Sequence, residues 1–204
     1  MIIRLQRFVS AAVITLTLTA CGTTPNSNYY LLSSEATDIP AQGSLSLGVG
    51  PIEIPEYLNR NAFVLSRDNN QLHVASFERW AEPLDGGIER VMRLNLASLL
   101  DTQNVQSYPF GSKEKPQYAV EITILRLDAN NSGASLIAEW RLHRPQLEQT
   151  VSRHINRLHQ DISSNPLQAT DIAPAYSRLL MQLSEVIATA ISAVEASQAA
   201  SENR

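Results

Sequence analysis

The sequence predicts an α+β fold: one domain in which a mixed, mostly antiparallel sheet is covered by two amphipathic helices, the longer one C-terminal. Three observations carry that reading. Alternating apolar and polar residues recur through 117–159 as three successive strand patterns. Apolar residues at three- and four-residue steps mark helices over 84–100 and 172–194. Hydrophobic residues at 44% with charged residues at 18% give a globular balance. The 204 residues leave about 180 once an N-terminal signal is removed, enough for one proper core and too few for two large ones.

In chain order, Tyr29-Tyr30-Leu31-Leu32 reads as a short strand and 33–43 as loop. Leu45, Leu47 and Val49 alternate with Ser46 and Gly48, and the alternation resumes at Ile52 and Ile54 after Gly50-Pro51, which predicts one strand with a break or bulge. Runs at 62–66 and 71–75, separated by Arg67-Asp68-Asn69-Asn70, predict a hairpin. Pro83 sits where the first turn of a helix tolerates proline. Leu84, Ile88, Val91, Met92, Leu96, Leu99 and Leu100 then hold helical spacing, with Gly86 and Gly87 weakening the first turns by up to about 1 kcal/mol each. A strand is expected at 105–110. Tyr118, Val120, Ile122 and Ile124 alternate, a turn is expected at 128–133, and Ala134, Leu136, Ala138, Trp140 and Leu142 share one face of the next strand, with only Ile137 out of place. A third run at 150–159 completes an antiparallel meander. The apolar stripe of the last helix runs from Ile172 to Val194, with Asp171 as N-cap and Pro174 in the first turn. That stripe is expected to pack on the sheet, which needs a cover, rather than to meet a partner or a membrane. The domain is expected to span 29–196, with a disordered tail at 197–204.

The chain's single cysteine lies in "LTACGTTPNSNYYLLSS", residues 18–34. Ahead of it come Arg4 and Arg7, an apolar stretch from Phe8 to about Leu18, and small residues. That is the build of a secretory signal peptide over 1–20, and its apolar stretch is too short to span a bilayer comfortably. Leu18-Thr19-Ala20-Cys21 resembles the bacterial lipobox, which implies diacylglycerol on the Cys21 sulfur, cleavage between Ala20 and Cys21, and acylation of the new amine. The alternative is a lone core cysteine behind an ordinary signal, but charge, apolar run, small residues and thiol all fall in register. An unpaired thiol left free in an oxidising compartment is also a liability. One acyl chain binds a membrane marginally and two or three bind it permanently. By analogy with enteric sorting, Gly22 rather than Asp after the cysteine assigns the protein to the outer membrane, facing the periplasm. Residues 21–28 then form the lipidated cysteine and a short tether of roughly 25 Å at most.

All 20 acidic residues lie beyond Cys21, so loss of the first 20 residues takes the net charge from −4 to −6. That sign, with Lys113 and Lys115 as the only lysines, argues against a nucleic-acid partner. Arg141, Arg144, Arg153 and Arg157 could form a local patch, but a solvated strand face paired with Glu139 and Glu148 is the simpler account. His73, His143, His154 and His159 do not have the spacing of metal ligands: 154 and 159 are an odd number apart and fall on opposite strand faces. There is no Gly-x-Ser-x-Gly elbow or phosphate loop, and the only thiol is used by the anchor. A paired-carboxylate site is visible only in three dimensions. The expectation is therefore a protein that is not an enzyme, with no metal and no cofactor beyond the covalent N-acyl and S-diacylglycerol lipid on Cys21.

Lipobox, "NYYLLSS", "LGVGPIEIPEYLNRNAFVLSRDNNQLHVASFERWAEPL", the amphipathic helix after it and the long C-terminal helix together resemble the PqiC family of ABC-type transport auxiliary lipoproteins. The likeness covers nearly the whole mature chain, and Arg79-Trp80-Ala81-Glu82-Pro83-Leu84 is its most family-like stretch. What the resemblance implies is membership of a Pqi-type system, in which an integral inner-membrane protein and an inner-membrane-anchored MCE protein forming a tube meet this lipoprotein at the outer membrane. Such systems move phospholipid or other hydrophobic molecules between membranes and protect the envelope. A homo-oligomeric ring matching a symmetric tube is a further expectation. Arg79, Trp80, Glu82 and Pro83, with the Pro55-Glu56-Tyr57 loop, are the candidate partner surface, although Trp80 and Leu84 read first as core. Two other classes compete: a regulator of an envelope enzyme such as a cell-wall synthase, disfavoured by the short tether, and a lipid carrier with a cavity under the sheet.

Overall fold

Period-2 alternation with β-branched and aromatic residues makes the three strands of 118–160 the backbone of the molecule. The computed structural model describes residues 25–36, 38, 40, 43–66, 70–111, 114–130, 132–164 and 167–202. Its elements are β1 (Asn28–Tyr30), β2 (Leu47–Glu53), a 3-10 turn (Glu56–Leu58), β3 (Ala62–Ser66), β4 (Leu72–Trp80), α1 (Leu84–Leu99), β5 (Val105–Ser107), β6 (Tyr118–Asn130), β7 (Gly133–Arg144), β8 (Gln149–Gln160) and α2 (Ala169–Glu202). The fold class is the expected one, a single α+β domain with the longer helix C-terminal.

The strands divide between two sheets, ordered β5-β2-β6-β7-β8 and β1-β4-β3. Parallel β5 and β6 flank β2 inside the larger sheet, and the β3–β4 hairpin pairs with β1 to form the smaller one. The long ladders are antiparallel: β6 with β7 and β7 with β8. The break expected at Gly50-Pro51 is a register shift between Val49 and Ile52, and Gly50 there has φ +105°, a conformation that favours glycine. Gly48 faces Phe110 so closely that a Cβ would lie 2.4 Å from its ring.

Several boundaries differ from the sequence reading. β4 runs on to Trp80, five residues past the expected end, because the amides of Trp80 and Ala81 donate to the Asn61 and Tyr30 carbonyls. The strand expected at 105–110 stops at Ser107, ahead of Pro109, which has no amide to donate. β6 and β7 extend to an Asn130–Gly133 pair, tighter than a turn over 128–133. Ile137, the residue that broke the alternation, pairs with Arg126 beside a register shift in β6 and sits half-buried on the outer face. The last helix begins at Ala169, three residues early, so Asp171 lies in its first turn, accepting from the Ser164 hydroxyl at 2.6 Å, and Pro174 falls inside the helix.

The helix also continues through the stretch expected as a frayed, disordered tail from 196 or 197, reaching Glu202. Its end is tied down: the Tyr118 hydroxyl donates to Glu195 at 2.6 Å, lies 2.9 Å from the Gln198 side-chain oxygen and accepts from Arg144 at 3.0 Å, while Gln117 donates to Glu195. Burial, then the Glu195 hydrogen bond, pushes the Tyr118 phenol up. By length and composition Ala169–Ser201 could cross a membrane. Its apolar stripe instead covers the sheet, with Leu179, Leu180, Leu183, Ile187 and Ile191 fully buried against β7, β8 and α1. The core is one contiguous cluster running from Leu32 to Ile191.

Candidate functional site

The first described residues enter the fold at an edge. Three residues of β1 pair in parallel with the end of β4, Asn28 opposite Glu78 and Tyr30 opposite Trp80. Asn28 donates to Glu78 at 3.0 Å and Arg79 reaches the Ser27 hydroxyl. Tyr30 is pushed up to about 12, chiefly by hydrogen bonding to Glu78, then by burial and the charge of the same carboxylate. Immediately after the strand, buried Leu32 has its carbonyl bonded by Arg90 at 2.8 Å, the Ser33 amide donates to Ser177 on α2 at 3.0 Å, and the Ser34 hydroxyl donates to Asn95 on α1 at 2.6 Å. Three successive residues are thus clamped by side chains from both helices. Because the groups are partly or wholly buried, these bonds are costly to leave unmade.

The sequence reading missed this clamp, although its signal was present. Asn95 interrupts the buried stripe Ile88, Val91, Met92, Leu96, and Ser177 interrupts that of α2. A polar residue on a buried face needs a partner, and here the partner is the incoming chain.

Of the candidate partner surface, Trp80 is core. It is 5% exposed, stacks on Phe63 with centroids 4.1 Å apart and planes at 19°, and lies 6.1 Å from the Tyr176 ring. Leu84 is buried too. Arg79 is half-buried and faces outward beside Tyr29. Glu82 pairs with Arg90 at 2.5 Å, so it belongs to the clamp, while Pro83 is exposed and precedes α1. In the other loop Glu56 is exposed and Pro55 half-buried. The Tyr57 hydroxyl accepts from the Leu127 amide at 3.4 Å, and burial pushes that phenol up. The two loops therefore present Pro83 and Glu56 outward and turn their aromatic residues inward. Ala20 and Cys21 lie outside the described residues.

The outer face of the larger sheet carries ion pairs rather than a cationic patch: Arg141 with Glu121, and Arg153 with Glu139 at 2.5 Å. Arg144 is engaged by Tyr118, with its guanidinium carbon 5.2 Å from the ring centroid. His143 is held below the ordinary histidine range by burial, with Glu121 opposing and Arg141 adding to the shift, and His154 packs on Trp140 at 4.7 Å. Surface grooves occur elsewhere. One of 680 Å³ lies between the 34–40 segment and α1, lined by Ala36, Pro40, Leu94, Ala97 and Val105. Another, of 480 Å³, lies between the small sheet and the start of α2.

Residues 29–188 match the family described as the ABC-type transport auxiliary lipoprotein component. Two solved structures share the fold. One is an uncharacterized protein at 23% identity, covering 82% of this chain and 99% of its own, with a TM-score of 0.67. The other is a Xanthomonas campestris protein of the DUF330 family at 16% identity, covering 84% and 99%, with a TM-score of 0.69. No curated protein matches the chain. With the match spanning the domain from β1 into the last helix, the chain belongs to the ABC-type transport auxiliary lipoprotein family.

Proposed function

We propose that this protein is a non-catalytic outer-membrane component of a Pqi-type lipid transport system, docking the periplasm-spanning MCE protein at the outer membrane and supporting envelope integrity. Membership of a lipoprotein family makes the mature chain a membrane-anchored protein of the cell envelope. Cys21 is the residue that would carry the lipid, and Gly22 after it favours outer-membrane sorting.

The observation that carries the docking reading is the way the chain enters the fold. At most roughly 25 Å of chain separates Cys21 from Asn28, and the next residues are clamped to both helices through Leu32, Ser33 and Ser34. Such an attachment holds a folded body close to the lipid and transmits load into its core. A shuttle or a regulator reaching through the cell wall needs slack instead. The interior also supports docking over carriage, since Leu47, Ile88, Met92, Ile122, Leu136 and Leu183 fill the space between sheet and helices. The MCE partner and a ring of copies matching its tube are part of the proposal.

In-cell photocrosslinking from the exposed positions Glu56 and Pro83, with mass spectrometry of the captured protein, tests it. Capture of an MCE protein is the expected result, and capture of a cell-wall synthase overturns it.

A further inference from the structure

The small sheet has one face turned away from the helices; on β3 it is covered, with Val64 opposite Val74 and buried, whereas along β4 and β1 it is exposed and largely apolar. His73, Ala75, Tyr30, Phe63 and Leu65 line the groove on the side of α2. Strand alternation therefore puts Leu72 and Val74 on the opposite face. Beyond the bulge in β4, Phe77 and Arg79 alternate with Glu78 and Trp80 and share that outer face, and the register sets Tyr29 beside Arg79. Four large apolar side chains are exposed there: Tyr29 at 66%, Leu72 at 49%, Val74 at 41% and Phe77 at 39%. Residues 70–77 contain no Asp, Glu, Lys or Arg. An uncharged stretch with three exposed apolar residues along it is unusual for a strand facing water, where charge is the common protection.

The place of this face relative to the anchor says what covers it. β1 runs parallel to β4 with Asn28 at the level of Glu78, so Leu72–Phe77 projects beyond the start of β1, toward the side from which the chain arrives. That projection is about 20 Å long at roughly 3.3 Å per residue. The chain from Cys21 to Asn28 reaches no further than roughly 25 Å however it runs. A domain whose entry point is held that close to a bilayer has the hairpin within reach of the same lipid. The chemistry fits a lipid surface: two aliphatic residues and a phenylalanine, flanked by Tyr29 and by Arg79. An amphipathic ring and a guanidinium are the groups suited to the headgroup level and its phosphates.

We propose that the outer face of β4 and the adjoining β1, with Tyr29, Leu72, Val74, Phe77 and Arg79, is a second membrane contact that seats the lipidated protein on the phospholipid surface at the interfacial level. It rests on the Cys21 anchor assigned above. The acyl chains supply affinity, and this face removes the rotational freedom that a flexible tether leaves. A net acidic domain would not adsorb to anionic lipid by charge alone, so the contact operates once the anchor has delivered it.

The chain's single cysteine makes the test specific, because acylation of Cys21 leaves no other thiol to label. The full acylated protein bearing Val74→Cys, or Ala81→Cys past the far end of β4, is labelled with a polarity-sensitive fluorophore and reconstituted in vesicles of phosphatidylethanolamine and phosphatidylglycerol. Quenching by lipids brominated in the upper acyl chain is then measured, with melting curves confirming that both variants fold. The expected result is a blue-shifted emission at position 74, quenched several-fold more strongly than at position 81. Equal, water-like emission at both positions overturns the proposal. So does a shielded probe at position 74 that brominated lipid does not quench while energy transfer reports a neighbouring copy, since a second protomer would then be the occupant. Labelling of the acylated preparation with no cysteine added would show Cys21 free, which removes the anchor reading itself and this inference with it.

Discussion

Trp80 separates two readings of the family-like turn, because a docking residue and a core residue respond differently to truncation. The Trp80→Ala change removes a ring 5% exposed, stacked at 4.1 Å on Phe63 and 6.1 Å from Tyr176. Truncating a buried aromatic residue costs about 3–5 kcal/mol, which includes the cavity it leaves. Against a total stability of about 5–15 kcal/mol that is a large fraction. For a domain of this size each kcal/mol moves the midpoint by about 2–4 °C, so the melting temperature falls by about 6–20 °C. Trp80→Phe keeps an aromatic ring in the stack and falls less. The assay is thermal and urea unfolding of the mature protein by circular dichroism, run beside the crosslinking yield from Glu56. Unchanged melting together with lost crosslinking would refute the core assignment and return Trp80 to the contact surface.

Gly48→Ala drives a Cβ to 2.4 Å from the Phe110 ring and 2.9 Å from Pro116; it costs about 1–3 kcal/mol in urea unfolding, and a smaller residue at 110 should restore most of that. Tyr118→Phe leaves Glu195 and Arg144 without the hydroxyl between them, costs about 1–3 kcal/mol and speeds hydrogen exchange at 196–200, whereas unchanged protection would mean that the helix end is held otherwise. Tyr30 is raised to about 12 in the folded protein from an ordinary 10. Its contribution is thus fully present below pH 10 and is lost as pH rises toward 12, because the unfolded chain gives up its proton first. Tyr30→Phe should flatten that part of the stability profile, measured by unfolding at stepped alkaline pH. His143 is shifted down by burial, so its contribution is lost as pH falls below the ordinary 6.5 and the unfolded chain takes up a proton first; His143→Gln removes that dependence.

Legibility from sequence followed the reach of the forces involved. The meander and the helices were visible because alternation and helical spacing are local records of burial: Ala134, Leu136, Ala138, Trp140 and Leu142 share one buried face as read. Boundaries set by tertiary partners were not. The helix end at Glu202 depends on Tyr118, more than seventy residues away, and the continuation of β4 to Trp80 depends on carbonyls of β1 and the loop before β3. The division into two sheets depends on which strands pair across long sequence separations, a choice that no local pattern encodes. At the candidate site, Trp80 and Leu84 were legible as core by type, whereas Glu82 reads as a surface acid until Arg90 is placed beside it. The clamp on Leu32, Ser33 and Ser34 joins residues up to 144 positions apart. Only the polar interruptions at Asn95 and Ser177 hint at it.

β4 links the two ends of this functional picture. At roughly 3.3 Å per residue its span from Leu72 to Trp80 is about 30 Å, longer than the tether itself. If the Leu72–Phe77 face sits on lipid as proposed, the exposed Pro83 that follows Trp80 lies at the opposite end of the strand, on the side left open to a periplasmic partner. The same strand ends in the Phe63, Trp80 and Tyr176 stack, which ties it to α2, and Glu82 just beyond it holds Arg90 on the incoming chain. On the proposed reading, a push on the Pro83 end would be carried to the lipid-facing end and to the anchor through packed aromatic rings and a clamped backbone rather than through loop. A docking part needs that mechanical continuity, and a carrier that must detach with its cargo does not.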